Sequence, residues 1–193
     1  KGLCDFVFIG LHGRPGEDGA VQKELMKIGL PFNGSGPESS GITINKFETN
    51  EILARNGLLV AKHDVVTADL FKRDSANFME HIEENFSYPF IAKPVDDGCS
   101  AAVKKVKNRD DLMAFSEMMF REEEEFPKGP AATLQLKFNE EFPQKPSFLI
   151  EDLITAQGAS RFIEITGGML TKFSEDGTHK YEVFEPSEAL ASD

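Results

Sequence analysis

A lysine and the loop that follows it have the residue types that bind phosphate groups. Lys93 closes a short apolar run, and Pro94 behind it favours an extended backbone at the lysine. A lysine at a strand end is a point charge that can meet a phosphate, although a plain surface lysine has the same pattern. Gly98 and Ser100 follow in a loop of small residues, whose backbone N–H groups can approach phosphate oxygens. Lysine and loop together favour a phosphate site.

A second candidate lies at the end of a later apolar run. Glu151 stands near that end, and Leu153 and Ile154 follow it. An adenine ring needs an acceptor for its amine and apolar contacts for its faces, and this segment offers both. A strand that simply meets solvent at its end would look the same, so both interpretations stay open on the residues alone.

A histidine in a glycine-rich turn is the third candidate. His12 and Gly13 follow an apolar run, and a turn with Glu17 between two further glycines leads into a helix. The free N–H groups and the dipole at such a helix start favour a carboxylate or a phosphate. A lone histidine in this place is more often structural, so the interpretation depends on the whole loop.

The first third of the chain reads as alternating strand and helix. Residues 4–9 are apolar and predict a buried strand, and a helix follows that ends at Gly29. Residues 41–56 predict one helix that contains Lys46. By itself Lys46 would be a solvated helix residue. The order strand, loop, helix, strand predicts an α/β fold with parallel strands.

The rest of the chain predicts a sheet around Lys93. Strands are expected over 89–92 and 103–106, which pair across the small-residue loop, and over 147–151. Asn108 is placed to cap a helix. Residues 126–146 carry four prolines and predict irregular structure, and residues 161–185 predict a hairpin.

Composition narrows the class of protein. The 193 residues include 40% hydrophobic residues, which is enough for a packed core. The net charge of −12 argues against a nucleic-acid partner, because the surface that binds a phosphate backbone is basic. Two cysteines make no disulfide framework, and the apolar stretches are too short to span a bilayer. We therefore expect a cytoplasmic protein with no membrane partner.

In this order, the histidine loop, the two lysines and the acidic strand end resemble those of the D-alanine–D-alanine ligases, a family within the ATP-grasp superfamily. The resemblance covers roughly residues 4–154. It implies an ATP-grasp fold of the α/β (α+β) class, with ATP and Mg²⁺ as cofactors. It also implies the reaction: ATP phosphorylates the carboxylate of one D-alanine, and the amine of a second attacks the acyl phosphate. The dipeptide serves peptidoglycan synthesis for the cell wall.

The same resemblance implies roles for individual residues. The residues expected at ATP are Lys46, Lys93, Gly98, Ser100, Glu151, Leu153 and Ile154. Those expected at the amino-acid substrate are His12, Gly13, Glu17 and Cys99. Only this resemblance, and not the residues around Lys46, assigns a function to this lysine.

The chain departs from the family's pattern in the loop after Lys93. Cys99 stands where the family usually has serine, and Ala102 where it usually has glycine. Asp96 and Asp97 place two carboxylates beside the expected phosphate site, and two would repel phosphate unless Mg²⁺ intervenes. Two alternative functions remain open: a carboxylate–amine ligase for another substrate, and a catalytically dead nucleotide-binding or interaction module.

The resemblance also implies an organisation into three parts. These are a partial N-terminal Rossmann-like subdomain over 1–57, a central nucleotide-binding subdomain over 58–154, and the beginning of the C-terminal subdomain over 155–193. It places the catalytic residues outside the chain and the magnesium ligands beyond Asp193. The chain is thus expected to be a fragment that is inactive in isolation. A homodimer is allowed, and the sequence does not decide the oligomeric state.

Overall fold

The chain forms two compact units, Lys1–Leu153 and Ile154–Asp193. The computed structural model describes residues 2–98, 101–137, 139–156, 158–174, 176 and 178–189, apart from the side chains of residues 75, 76 and 173. Cys99 and Ser100, two of the predicted site residues, lie outside the described residues.

Three short helices dominate the start of the first unit. They are α1 (Ala20–Lys27), α2 (Pro37–Ile44) and α3 (Lys46–Arg55). Gly19 precedes α1 with a φ of +87°, and a Cβ there would lie 2.3 Å from the Pro37 carbonyl oxygen. Only glycine combines this backbone conformation with so close an approach, so Gly19 lets α1 and α2 pack together.

The prediction of a single helix over 41–56 is wrong. Asn45 interrupts it with extended backbone (φ −84°, ψ 101°), and its side chain accepts a hydrogen bond from the Glu48 N–H at 3.0 Å. Asparagine favours this capping role because its side-chain oxygen satisfies an N–H that the first helical turn leaves free. Lys46 is therefore the first residue of a helix rather than part of its middle.

The predicted buried strand over 4–9 is also wrong. Within the described residues its backbone pairing is a single parallel bridge between Val7 and Phe32. Phe8 is 78% exposed, and Phe6 and Leu11 are each 54% exposed. One neighbouring segment can satisfy part of the backbone but cannot cover both faces of an apolar strand, so the apolar pattern alone overestimated its burial.

A four-stranded sheet forms the centre of the first unit. Its strands are β1 (His63–Thr67), β2 (Phe90–Pro94), β3 (Lys104–Val106) and β4 (Ser147–Asp152), in the order β1-β4-β2-β3. All three strand pairs of this sheet are antiparallel, whereas the parallel pairing predicted for the first third of the chain corresponds to the single Val7–Phe32 bridge. The predicted pairing across the small-residue loop is confirmed by β2 and β3.

Four helices accompany the sheet: α4 (Ala68–Arg73), α5 (Ser75–Asn85), α6 (Arg109–Met119) and α7 (Lys128–Thr133). Asn108 caps α6 as predicted, by accepting a hydrogen bond from the Asp111 N–H at 2.9 Å. Helix α7 lies in the stretch predicted to be irregular, where Pro130 occupies its first turn and tolerates the helical backbone.

The hydrophobic core lies between the sheet and these helices. Among the described residues, every buried hydrophobic side chain falls within Val66–Ile150. Phe148 on β4 packs edge-on against Phe115 at 4.9 Å between ring centroids, and against Phe120 at 5.3 Å. Aromatic pairs at these separations add to the burial of their area, so the core fixes β4 and the strand beside it.

The second unit contains two strand pairs. Strands β6 (Met169–Phe173) and β7 (His179–Val183) form the predicted hairpin, and β5 (Glu164–Thr166) pairs with β8 (Ser187–Ala189). No helix within the described part of the chain is long and apolar enough to cross a membrane.

Candidate functional site

Lys46 is held at both ends against the loop that follows Lys93. Its backbone N–H donates to the Val95 carbonyl at 2.8 Å, and its ammonium donates to the Asp97 carbonyl. Burial lowers the pKa of Lys46, and the positive charge of Lys93 lowers it further, against the opposing charges of nearby carboxylates. The two lysines predicted from sequence are thus brought to one place.

Lys93 projects from β2 and forms an ion pair with Glu151 on the neighbouring strand β4. The antiparallel register places Lys93 opposite Leu149 and Glu151 opposite Ile91, so the two side chains lie diagonally across one face. Both are largely buried, with side chains 20% and 14% exposed. The second carboxylate oxygen of Glu151 accepts from the Asn50 amide at 2.9 Å.

The two aspartates after Lys93 share a cation. Lys145 lies 3.0 Å from Asp96 and 3.1 Å from Asp97, and Arg14 donates to the other oxygen of Asp96 at 2.5 Å. Burial raises the pKa of Asp96, but Lys145 and Arg14 outweigh it and hold that pKa below its usual range. Burial likewise lowers the pKa of Lys145, and the two aspartates outweigh it and raise that pKa.

The histidine loop is folded back on itself by Glu17. One carboxylate oxygen accepts from the Gly13 N–H at 2.7 Å, and the other lies 3.7 Å from His12 Nδ1. The His12 side chain is 85% exposed. A Cβ on Gly98 would lie 3.3 Å from Glu17 Oε2, so the histidine loop and the small-residue loop approach each other here.

The expectation of a free helix start behind this loop is wrong. At the start of α1, the Ala20 N–H donates to Asp18 Oδ1 at 3.0 Å, and the Val21 N–H donates to the Pro15 carbonyl at 3.3 Å. An anion at this helix end would have to displace these acceptors.

A cavity of about 490 Å³ opens where these segments meet. Glu17, Lys46, Asp97 and Gly98 are among its lining residues. A second cavity of about 520 Å³ is lined by His12, Gly13, Arg14, Gly98 and Phe142, among others. Asp97 and Gly98 line both cavities, and each cavity has the size that small ligands occupy.

Leu153 and Ile154, predicted to contact adenine, lie directly after the end of β4. Leu153 follows β4 and is half-buried, and Ile154 is 61% exposed and begins the second unit. The assignment of Leu153 and Ile154 to adenine, like that of His12, Gly13 and Glu17 to the substrate, stays a prediction.

Sequence reasoning missed Asn50, Arg14 and Lys145. A signal existed for Asn50, because it follows Lys46 by four residues and so shares its helix face. No spacing pointed to Lys145, which follows the proline-rich stretch and meets Asp96 and Asp97 only through the fold.

The sheet and the paired lysines define an ATP-grasp fold, and comparisons with solved structures support it. The D-alanine–D-alanine ligase from Bacillus anthracis superposes with a TM-score of 0.57 at 25% identity, over 97% of this chain and 54% of that one. The VanG D-Ala:D-Ser ligase from Enterococcus faecalis gives a TM-score of 0.64 at 24% identity, over 95% and 43%. The predicted fold is confirmed.

Sequence comparisons confirm the predicted resemblance to the D-alanine–D-alanine ligase family. The family model described as the D-ala D-ala ligase C-terminus matches residues 52–126. The D-alanine–D-alanine ligase of Geobacter sulfurreducens is 38% identical over 117 residues, which are 61% of this chain and 35% of that protein. That of Natranaerobius thermophilus is 38% identical over 109 residues, 56% and 30%. The chain spans about a third of the length of these curated relatives.

Proposed function

We propose that this chain holds ATP for an ATP-dependent ligase that joins two D-alanines through an acyl phosphate, for peptidoglycan synthesis. The observation that carries the proposal is that Lys46 lines one cavity with Gly98, while Lys93 is held nearby by Glu151, which also accepts from Asn50 on the helix of Lys46. Two ammonium groups close enough to depress a pKa repel each other, and an anion between them relieves that repulsion. The similarity to D-alanine–D-alanine ligases supplies the class of reaction.

The residues present fit a nucleotide. Lys46 and Lys93 meet the phosphates, together with the backbone around Gly98 and Ser100. When Lys93 turns from Glu151 to a phosphate, one carboxylate oxygen of Glu151 becomes available to the adenine amine. Asn50 keeps the other oxygen in place. Leu153 and Ile154 contribute the apolar contacts to the ring.

The amino-acid side of the proposal uses the histidine loop. His12 and Gly13 line the second cavity together with Gly98, and the proposal assigns them, with Glu17 and Cys99, to a site for D-alanine. Glu17 holds this loop by accepting from the Gly13 N–H and by lying beside His12. A carboxylate bound there would be presented toward the phosphates, which is the orientation that acyl-phosphate formation needs.

Magnesium is proposed as the second cofactor, because it would neutralise charge on the transferred phosphate. The residues described here do not fit a magnesium site of their own. In this part of the chain no three His, Cys, Asp or Glu side chains converge on one point, and Asp96 and Asp97 are already paired with Lys145. No step of the reaction is therefore derived through magnesium.

The same proposal extends to the subdomain bounds, the partners and the location of the protein. We propose subdomains over 1–57, 58–154 and 155–193, with ATP and D-alanine as partners and a cytoplasmic location; a homodimer is allowed. The net charge of −12 supports the exclusion of nucleic acid.

Two measurements test the function. ATP is titrated against this chain by calorimetry, and D-alanine-dependent phosphate release is measured on a protein that contains this chain and has the full length of its relatives. We expect ATP to bind and phosphate to appear only with D-alanine. Binding without release for any amino acid would make the chain a nucleotide-binding module, and release with a different amino acid would change the substrate. Absence of ATP binding by the folded chain would overturn the proposal.

A further inference from the structure

Lys145 pairs with both Asp96 and Asp97, the two carboxylates next to the expected phosphate site. Two adjacent carboxylates beside a phosphate site should repel the phosphate. Lys145 lies within 3.1 Å of an oxygen of each, and its side chain is only 20% exposed. Arg14 takes the remaining oxygen of Asp96 at 2.5 Å. Arg14 also pairs with Asp18 at 3.0 Å, so among the described residues Lys145 is the cation that Asp96 and Asp97 have to themselves before any ligand arrives.

The backbone that carries Lys145 is fixed by the end of α6. The Lys145 N–H donates to the Met119 carbonyl at 3.1 Å, and the Arg121 guanidinium donates to the Phe142 carbonyl at 2.7 Å. The Gln144 amide donates to the Glu123 carbonyl at 2.7 Å. These bonds hold the start of β4, so the ammonium of Lys145 has a fixed place beside the loop.

Asp97 links this cation to the phosphate lysines. Its carboxylate contacts Lys145, while its carbonyl accepts from Lys46. Asp97 and Gly98 also line the same cavity as Lys46. A change at Lys145 should therefore alter the charge and the position of the loop that contains Asp97 and contacts Lys46.

We propose that Lys145 is a positioning residue of the nucleotide site: it neutralises Asp96 and Asp97 so that the loop can accept a triphosphate next to Lys46 and Lys93. This inference rests on the proposed function. Lys145 itself bonds to the two aspartates, so its effect on the nucleotide passes through them. Its removal leaves one uncompensated negative charge in the loop.

Charge and scaffolding roles for Lys145 can be separated by a second substitution. Lys145→Met removes the cation and its hydrogen bonds. Asp97→Asn in the same protein restores the charge balance, since Asp96 keeps Arg14 as its partner, but it does not restore the bonds of Lys145. A purely structural role would therefore not be rescued. Lys105→Met is the matched control, because Lys105 is exposed on β3 and its loss changes the net charge equally.

The experiment is a calorimetric titration of ATP against the whole chain at one salt concentration, with circular dichroism to check each fold. We expect Lys145→Met to weaken ATP binding about tenfold, which is less than a direct unit-charge pair would give because Lys145 acts on the phosphates through the aspartates and from a greater distance. Adding Asp97→Asn should bring the affinity back to within about threefold of the unmodified chain. Lys105→Met should stay within about threefold as well, because distant exposed charges are screened.

Each outcome decides the inference. Unchanged ATP binding in Lys145→Met, or a loss that Asp97→Asn does not reduce, would overturn it and leave the proposed function standing. No ATP binding by the folded, unmodified chain would overturn both. If Lys145→Met does not fold, the variant that combines it with Asp96→Asn and Asp97→Asn takes its place. That variant should bind within about threefold of the unmodified chain, and a tenfold loss would overturn the inference.

Discussion

The two regions of the first unit, residues 2–57 and residues 58–153, are stabilised by different means. The later region contains every buried hydrophobic side chain that the structure describes. The earlier region has four buried residues among those described: two glycines, Gly16 and Gly19, and two polar residues, Gln22 and Ser40. The buried Gln22 amide donates to the Gly16 carbonyl at 2.7 Å and so stabilises the turn that precedes α1. The sheet region has a packed core, and the helical region depends on hydrogen bonds, turns and glycine contacts.

The candidate site lies where the two regions meet, and its bonds cross that boundary. Lys46 and Asn50 come from the helical region, whereas Asp97 and Glu151 come from the sheet region. Arg14 and Asp96 make a third crossing. A rigid core can hold Lys93 and Glu151 at fixed positions, while the softer region brings Lys46 to them. We therefore expect ATP affinity and overall stability to respond to different substitutions.

The largest effect is expected from a core substitution compared with its exposed counterpart. Phe148→Ala removes a fully buried ring and should lower the free energy of unfolding by about 3–5 kcal/mol. Phe8→Ala removes a ring that is 78% exposed and should change it by less than about 0.5 kcal/mol. Urea denaturation measures both. Equal losses would show that the helical region has a core of its own.

Lys93→Ala should affect binding more than any change on the acidic surface. A hydrogen bond to a charged group contributes about 1.5–3 kcal/mol, so ATP affinity should fall roughly ten- to a hundredfold. Glu124→Ala, in the exposed acidic run, should change it by less than about threefold through weak long-range repulsion. Calorimetry at one salt concentration compares the two. ATP binding unaffected by Lys93→Ala would remove the main physical support for the nucleotide site.

The sheet region was predictable because its signals are local. Pro94 fixed the extended backbone at Lys93, Asn108 marked the start of α6, and the apolar run before Glu151 became β4. Each signal depends on a few neighbouring residues. The strand order and the antiparallel pairing of β1 with β4 did not follow, since the pairing joins residues at least eighty positions apart.

The helical region and the site's cations were harder to predict. Residues 4–9 have the composition of a buried strand, and whether such a run is covered depends on its neighbours rather than on its own residues. Asn45 carried a usable signal, because Glu48 follows it by three residues as in a capping box. Lys145 carried none, since its partners are set by tertiary structure alone.

The two helix caps offer a matched pair across the regions. Asn45 accepts from the Glu48 N–H at 3.0 Å, and Asn108 accepts from the Asp111 N–H at 2.9 Å. Each change to Ala should lower the free energy of unfolding by about 1 kcal/mol. Only Asn45→Ala should also weaken ATP binding, because Lys46 is the next residue. Urea denaturation and ATP titration together test this, and equal effects on ATP from both caps would contradict it.

The smallest effect is expected at acid pH, from the ion pairs that join the regions through Asp96. Lys145 and Arg14 hold the pKa of Asp96 below its value in the unfolded chain. A lowered pKa contributes stability that is present above the unfolded value, about 3.9, and is lost as the pH falls through the folded value. Asp96→Asn removes this contribution. The unmodified chain should therefore exceed the variant in free energy of unfolding at neutral pH, and the difference should shrink below about pH 4. Asp5→Asn, at an exposed position, is the control. Urea denaturation across this pH range measures the difference, and one that persists unchanged into acid would show that Asp96 stabilises the chain by something other than its charge.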